Sequence, residues 1–133
     1  MNRKDMRSPL ARAIGLGSAK SGVEHWWAER LSAIALIPLT LWFIASIIAH
    51  TGSDYAAFTE WVRRPYVPIL MIALLITLFY HAALGLQVII EDYQHSWAKL
   101  AMIIAAQFGC FILAIAGTVA TLMVALGSDK ALQ

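Results

Sequence analysis

The residues best suited to chemistry in this sequence follow one another along a helical face that starts at His81. Gly85 comes one turn later, and Asp92 and Tyr93 come eleven and twelve residues later. Eleven residues at 100° each return to within about 20° of the starting direction, so His81, Gly85 and Asp92 share a face. His81 lies deep in an apolar segment, where an ionisable side chain indicates a functional site.

Two kinds of chemistry fit this set. Neutral imidazole is an axial ligand of haem iron, and Gly85 leaves a flat gap beside the ring where a porphyrin edge could pass. The hydroxyl of Tyr93 could donate to a quinone carbonyl, and the adjacent Asp92 could orient it or pass on protons. Two alternatives stay open. His81 could be a neutral side chain hydrogen-bonded to a neighbouring helix, and residues 91–93 could be a polar helix end with an aromatic anchor.

The other histidines lie at depths that differ from that of His81. At about 1.5 Å per residue, His50 is some 20 Å away in depth, and His25 and His95 fall at or beyond the opposite boundary. None can share an iron with His81, so a six-coordinate haem needs its second axial histidine from another chain. His25 and Arg30, where the first apolar segment begins, could hold haem propionates or could be interfacial residues that reach water.

The composition places these residues in a membrane. Hydrophobic residues make up 60% of the 133 residues, charged residues make up 14%, and the mean hydropathy is +0.69. Soluble domains carry about 25% charged residues. The uncharged segments 31–49, 66–90 and 100–126 are each long enough to cross a bilayer, and a span must satisfy its own backbone by forming a helix.

These segments predict an all-α membrane protein with three transmembrane helices. The predicted spans cover about 29–49, 66–91 and 98–126, within a membrane domain over 25–128. A polar N-terminal tail over 1–24, expected to be irregular over 1–22, precedes the domain, and a C-terminal tail over 129–133 follows it. Three thin helices cannot enclose a large site, so we expect the chain to be part of a multi-subunit helical bundle.

Charge and cysteine content exclude several other classes. The formal net charge of +2 is too small to indicate a nucleic-acid partner. The one cysteine, Cys110, excludes an intrachain disulfide framework and a four-cysteine zinc or iron–sulfur site within this chain.

The basic residues predict the orientation. With the N-terminus inside, seven basic residues lie inside and three outside, as the positive-inside rule favours. The seven are Arg3, Lys4, Arg7, Arg12, Lys20, Arg30 and Lys99, and the three are Arg63, Arg64 and Lys130. Tyr93 then lies on the cytoplasmic side, or on the matrix side in a mitochondrion.

Two rows of small residues, four apart, mark the third predicted helix. One row is Ala101, Ala105 and Gly109, and the other is Gly117, Thr121 and Ala125. Small residues let helix backbones approach closely in lipid. The rows could contact another subunit or the chain's own helices.

The segment over residues 81–93, with its histidine, glycine, Gln87 and Asp-Tyr pair, resembles a known signature. It is similar to that of the hydrophobic membrane anchor subunit of succinate dehydrogenase (respiratory complex II). The segment over residues 22–36, which contains His25 and Arg30, is similar to the start of the first helix in that family. Three spans with a cytoplasmic N-terminus also fit.

The resemblance implies specific roles. His81 would be one axial ligand of haem b and the metal-binding residue, and a cytochrome b-type membrane subunit would supply the other ligand. Tyr93 would hydrogen-bond ubiquinone with Asp92 beside it, while His25 and Arg30 would lie near the haem propionates. A flavoprotein subunit and an iron–sulfur subunit would dock on the inner side of the cytoplasmic membrane.

The function expected from the resemblance is therefore that of a membrane subunit of succinate dehydrogenase (quinone). It would carry electrons from succinate towards the quinone pool and would have no catalytic residues of its own. A cofactor-free structural anchor and the anchor of a fumarate reductase are the alternatives.

Overall fold

The computed structural model describes residues 20–127, with side chains from Gly22 onwards. Four helices are described: α1 is Lys20–Ala49, α2 is Tyr55–Val62, α3 is Tyr66–Tyr93 and α4 is Ala98–Leu126. Three of them, over Gly22–Ala49, Tyr66–Tyr93 and Ala98–Leu126, are long and apolar enough to cross a membrane. The predicted all-α fold with three transmembrane helices is confirmed. Residues 1–19 of the predicted N-terminal tail and the predicted C-terminal tail lie outside the described residues.

The first helix begins earlier than the predicted first span. α1 starts at Lys20, so the last residues of the segment expected to be an irregular tail are helical instead. One stabilising contact is local: the Arg30 guanidinium lies 4.7 Å from the ring centroid of Trp26, one turn earlier. Contacts between residues four apart favour a helix. The early start places His25 and Arg30 on one continuous helix.

The connection between α1 and α3 contains the short helix α2. Asp54 is its N-cap, with a side-chain oxygen that accepts from the Ala57 N–H at 2.8 Å. The Trp61 ring packs against Trp42 of α1, with ring centroids 6.5 Å apart, and against His50, at 4.5 Å. Trp61 and Val67 are buried there. This cluster ties α1, α2 and α3 together at one end of the molecule, called the Trp61 end below.

The three long helices lie side by side. α3 contacts both α1 and α4, whereas α1 and α4 make no contact within the described residues. The opposite end of the molecule, called the Tyr93 end, contains the start of α1 and the end of α3. The middle helix therefore has one face towards each neighbour, and His81 lies on its α1 side.

The two rows of small residues behave differently. A Cβ at Gly117 would come within 3.0 Å of the Leu75 side chain of α3, and Thr121 is buried. This row packs within the chain. The other row does not, because Ala101 and Ala105 are exposed and a Cβ at Gly109 would meet no described atom within 4 Å.

Few side chains of the long helices are buried. The buried residues are Ser32 in α1, Val67, Leu74 and Ile90 in α3, and Cys110 and Thr121 in α4. The described helices thus present apolar side chains outwards on most sides. Such a surface is stable against lipid or against other apolar helices.

Candidate functional site

The site is built around His81, near the middle of α3. Its Nδ1 lies 2.9 Å from the Oγ of Ser32, a residue of α1 that is only 6% exposed. This contact joins two neighbouring helices through polar atoms inside an apolar layer. The alternative considered for His81, a hydrogen bond to a neighbouring helix, is therefore present at one of its two ring nitrogens.

The hydrogen-bond pattern assigns the tautomer of His81. Ser32 Oγ also lies 2.9 Å from the backbone carbonyl of Glu29, which can only accept. A hydroxyl has one proton, so Ser32 donates to Glu29 and accepts from His81 Nδ1–H. In a neutral imidazole the other nitrogen, Nε2, then has the free lone pair. Nε2 makes no hydrogen bond to any described residue.

An open groove lies beside this imidazole. Its volume is about 360 Å³, and both polar and apolar side chains line it: Trp26, Glu29, Arg30, Ala33, Ile34, Ile37 and His81. The Arg30 guanidinium stacks on Trp26, and within residues 22–127 no carboxylate forms an ion pair with it. The groove therefore combines a free imidazole nitrogen, apolar walls and a cation available to an anionic group.

His25 does not lie in this groove. It precedes Ser32 by seven residues, which places both within about 20° on the face of α1 that packs against α3. Its Nε2 is buried and has no hydrogen-bond partner in the described part of the chain. The structure thus brings Arg30 and His81 to one groove and leaves His25 on the neighbouring face.

Space is available next to His81 on α3 as well. A Cβ added to Gly85, one turn further along, would meet no described atom within 4 Å. The space at Gly85 is therefore open within the described residues, and its use by a planar group stays a prediction. A planar group beside the imidazole would meet no obstruction from the residue one turn away.

Asp92 and Tyr93 lie at the other end of α3, about 16–18 Å along the helix axis from His81. Tyr93 is 81% exposed, and Asp92 is exposed as well. Neither side chain hydrogen-bonds to another described residue. The phenol and the carboxylate are thus both accessible at the Tyr93 end, and they form a second location separate from the groove.

A chain of amides links α3 and α4 between these two locations. Gln107 donates to Gln87 at 3.1 Å, and Gln87 donates to Glu91 at 2.9 Å. Lys99 reaches the backbone carbonyl of Glu91 at 3.3 Å. These bonds fix the end of α3 that precedes Asp92.

His50 lies far from His81, as expected from the sequence. His50 Nδ1 donates to the Ser46 carbonyl at 2.8 Å, and its ring packs on Trp61 at the far end of the molecule. Within the described part of the chain, no group of three or more His, Cys, Asp or Glu side chains could hold a metal ion.

Sequence analysis missed Ser32 and Trp26. Ser32 was visible only as one polar break in an apolar span. One signal could have predicted its place: Ser32 follows His25 by seven residues, so both lie on the same face of α1, and this face packs against α3. Trp26 supports the Arg30 guanidinium one turn further along α1, and a contact within one helix turn could have been predicted from the spacing of the two residues.

The fold and this site define an α-helical, multi-pass membrane protein with an open groove beside His81. The family described as "Succinate dehydrogenase/Fumarate reductase transmembrane subunit" matches residues 4–114. The chain therefore belongs to this family, among the hydrophobic membrane anchor subunits of succinate dehydrogenase, and it forms part of an oxidoreductase complex with partner subunits.

Individual relatives carry the same description. The succinate dehydrogenase hydrophobic membrane anchor subunit of Rickettsia bellii is 40% identical over 89 residues, which cover 67% of this chain and 71% of the relative. That of Rickettsia conorii is 32% identical over 87% of this chain and 94% of the relative. That of Paracoccus denitrificans is 32% identical over 82% and 85%. No solved structure matches the chain.

Proposed function

We propose that this chain co-ligates haem b and forms part of the ubiquinone site of a succinate:quinone oxidoreductase. The observation that supports it best is the hydrogen-bond pattern at His81. Nδ1–H is held by Ser32, which leaves the Nε2 lone pair beside a groove that also contains Arg30. A histidine that ligates a metal typically donates its other N–H to a protein acceptor.

The residues on the groove fit a haem. His81 Nε2 would be one axial ligand, and a cytochrome b-type subunit would supply the second. Arg30, stacked on Trp26 and without an ion-pair partner in residues 22–127, would bind a propionate. His25, whose buried Nε2 has no hydrogen-bond partner within residues 22–127, would lie near the propionates from the α3-facing side of α1. When bound, haem b supplies a one-electron redox couple within the membrane.

The Tyr93 end would contribute to the ubiquinone site. Tyr93 would donate its hydroxyl proton to a quinone carbonyl, and Asp92 would orient the phenol or hold a proton. The distribution of basic residues supports an orientation with this end on the cytoplasmic side of the inner membrane. The flavoprotein and iron–sulfur subunits would dock there and deliver electrons from succinate.

A cofactor-free structural anchor is the second candidate, and one observation favours it. The hydrogen bond from His81 to Ser32 would also be sufficient for a packed polar residue that binds nothing. An anchor of a fumarate reductase is a further variant, because the matching family description names both enzymes. The direction of electron flow depends on the quinone potential and on the partner subunits.

The haem assignment is tested with His81→Ala in the purified complex. We expect the dithionite-reduced wild type to show a b-type haem spectrum and the variant to lose most of it, because one axial bond is removed. His50→Ala is the matched control, since His50 also donates Nδ1–H to an acceptor but lies at the Trp61 end. Unchanged haem content in His81→Ala would reject the ligand and favour the cofactor-free anchor.

The quinone assignment is tested separately with Tyr93→Phe. We expect succinate-driven quinone reduction to fall by about 10- to 100-fold, which corresponds to about 1.4–2.7 kcal/mol for a lost hydrogen bond to the reacting group. Succinate-driven dye reduction at the flavin should stay unchanged. Tyr66→Phe, at the other end of α3, is the control. Equal losses in both assays would refute a role of Tyr93 at the quinone.

A further inference from the structure

Ser32 is the only residue in the described part of the chain that hydrogen-bonds to His81. It is 6% exposed, its Oγ lies 2.9 Å from His81 Nδ1, and the same Oγ lies 2.9 Å from the Glu29 carbonyl. The hydroxyl proton is thus occupied within α1. Ser32 presents a lone pair, not a proton, to α3.

This arrangement has a chemical consequence for the imidazole. If the hydroxyl could rotate freely, it could either donate to Nδ1 or accept from it, and both tautomers of His81 would be accommodated. The Glu29 carbonyl removes the first possibility because it holds the proton. The second leaves Nδ1–H as the donor and Nε2 as the nitrogen with the lone pair.

A hydrogen bond of this kind also changes the electronic character of a ligating ring. An acceptor on Nδ1–H fixes the orientation of the ring and raises the basicity of the ligating nitrogen. A more basic nitrogen stabilises the ferric state of an iron more than the ferrous state. The acceptor therefore lowers the reduction potential of the iron.

We infer that Ser32 is a positioning residue: it holds His81 in the Nδ1–H tautomer, aims Nε2 into the groove and lowers the potential of the iron bound there. The inference rests on the proposed haem ligation by His81. It adds that the potential is set partly from α1 of this chain, by a hydroxyl that does not itself touch the haem.

The matched control lies on the same helix. Thr40 Oγ1 donates to the Leu36 carbonyl at 2.6 Å, so its hydroxyl is bound to its own helix in the same way as that of Ser32. Thr40 has no hydrogen bond to another helix within the described residues. Thr40→Ala thus removes a back-bonded hydroxyl without altering any contact to His81.

The test is a redox titration of haem b in the whole complex. The samples are the wild type, Ser32→Ala, Ser32→Thr and Thr40→Ala. The haem-to-flavin ratio and the electron paramagnetic resonance spectrum are further readouts. For Ser32→Ala we expect the affinity of the site for ferric haem to fall about tenfold relative to its affinity for ferrous haem. This is the lower end of the effect expected when a ligating histidine loses its outer hydrogen bond. That ratio corresponds to a rise of about 59 mV in the reduction potential of the haem for a one-electron couple. Ser32→Thr retains a hydroxyl oxygen as the acceptor and should keep the wild-type reduction potential. Thr40→Ala should not change this potential either.

A purely structural Ser32 would give a different result. Ser32→Ala would then reduce the yield of assembled complex, while the remaining haem would keep the wild-type potential and resonance spectrum. That outcome overturns the inference. If Ser32→Ala does not assemble, Ser32→Cys replaces it. Its sulfur is a weak acceptor, so the potential must lie above that of the wild type.

The outcomes separate the inference from the proposal on which it rests. Loss of haem in His81→Ala together with an unshifted potential in the Ser32 variants refutes the role of Ser32 alone. A wild-type complex without haem b, or full haem content in His81→Ala, refutes both.

Discussion

Replacement of Gly85 by leucine would fill the open space beside His81 without disturbing the chain itself. A Cβ at this position meets no described atom within 4 Å, so the first carbon of the new side chain has room within residues 22–127. Leucine is also a better helix former than glycine by roughly 0.8–1 kcal/mol, so α3 itself is not weakened. Any loss of function must then come from what occupies the space next to the imidazole.

We expect Gly85→Leu to reduce haem affinity. Overfilling a packed site typically costs about 1–3 kcal/mol, which corresponds to a decrease of about 5- to 140-fold. The assay is the haem-to-flavin ratio of the purified complex and its reduced spectrum, with Gly85→Ala as a graded control that adds a single carbon. Haem content equal to wild type in Gly85→Leu, at normal assembly, would refute the interpretation of this gap as space for a porphyrin edge.

Two further changes test the groove and the contact between α3 and α4. Arg30→Gln should increase the rate of haem dissociation by about tenfold, which is equivalent to about 1.4 kcal/mol for one charge-assisted bond. Arg64→Gln, in the loop before α3, is the control and should leave the rate unchanged. Equal rates in both variants would exclude Arg30 as the propionate partner. Gly117→Val should destabilise the α3–α4 contact by about 1–3 kcal/mol, because a Cβ at this position lies 3.0 Å from the Leu75 side chain. The measurement is the dissociation temperature of the complex in detergent, which should be lower than that of the wild type. Leu75→Ala should partly rescue it, and an additive double variant would show that the two residues do not pack together.

The fold was accessible from the sequence because the three spans are determined by composition. Long uncharged segments such as 66–90 have no alternative to helix in a membrane, so their existence and type follow directly. The start of α1 was less accessible. The residues between Lys20 and Arg30 are polar enough to resemble a tail, yet they are helical, with the Arg30 guanidinium over the Trp26 ring.

Only part of the site could be predicted from the sequence. The depth of His81 and its spacing from Gly85 and Asp92 are properties of one helix, and helical periodicity is sufficient to predict them. The bond from His81 to Ser32 depends on how α1 packs on α3, which no single-helix pattern encodes. The same holds for the contrast between Arg30, which lines the groove, and His25, which faces α3.

The most direct measurement is an experimental structure of the purified complex at a resolution that shows the His81 ring. We expect iron bonded to His81 Nε2, a second axial histidine from another membrane chain, and Ser32 Oγ still within hydrogen-bond distance of Nδ1. An iron ligated by two histidines of other chains, or a His81 ring with no iron on Nε2, would contradict haem ligation by this subunit.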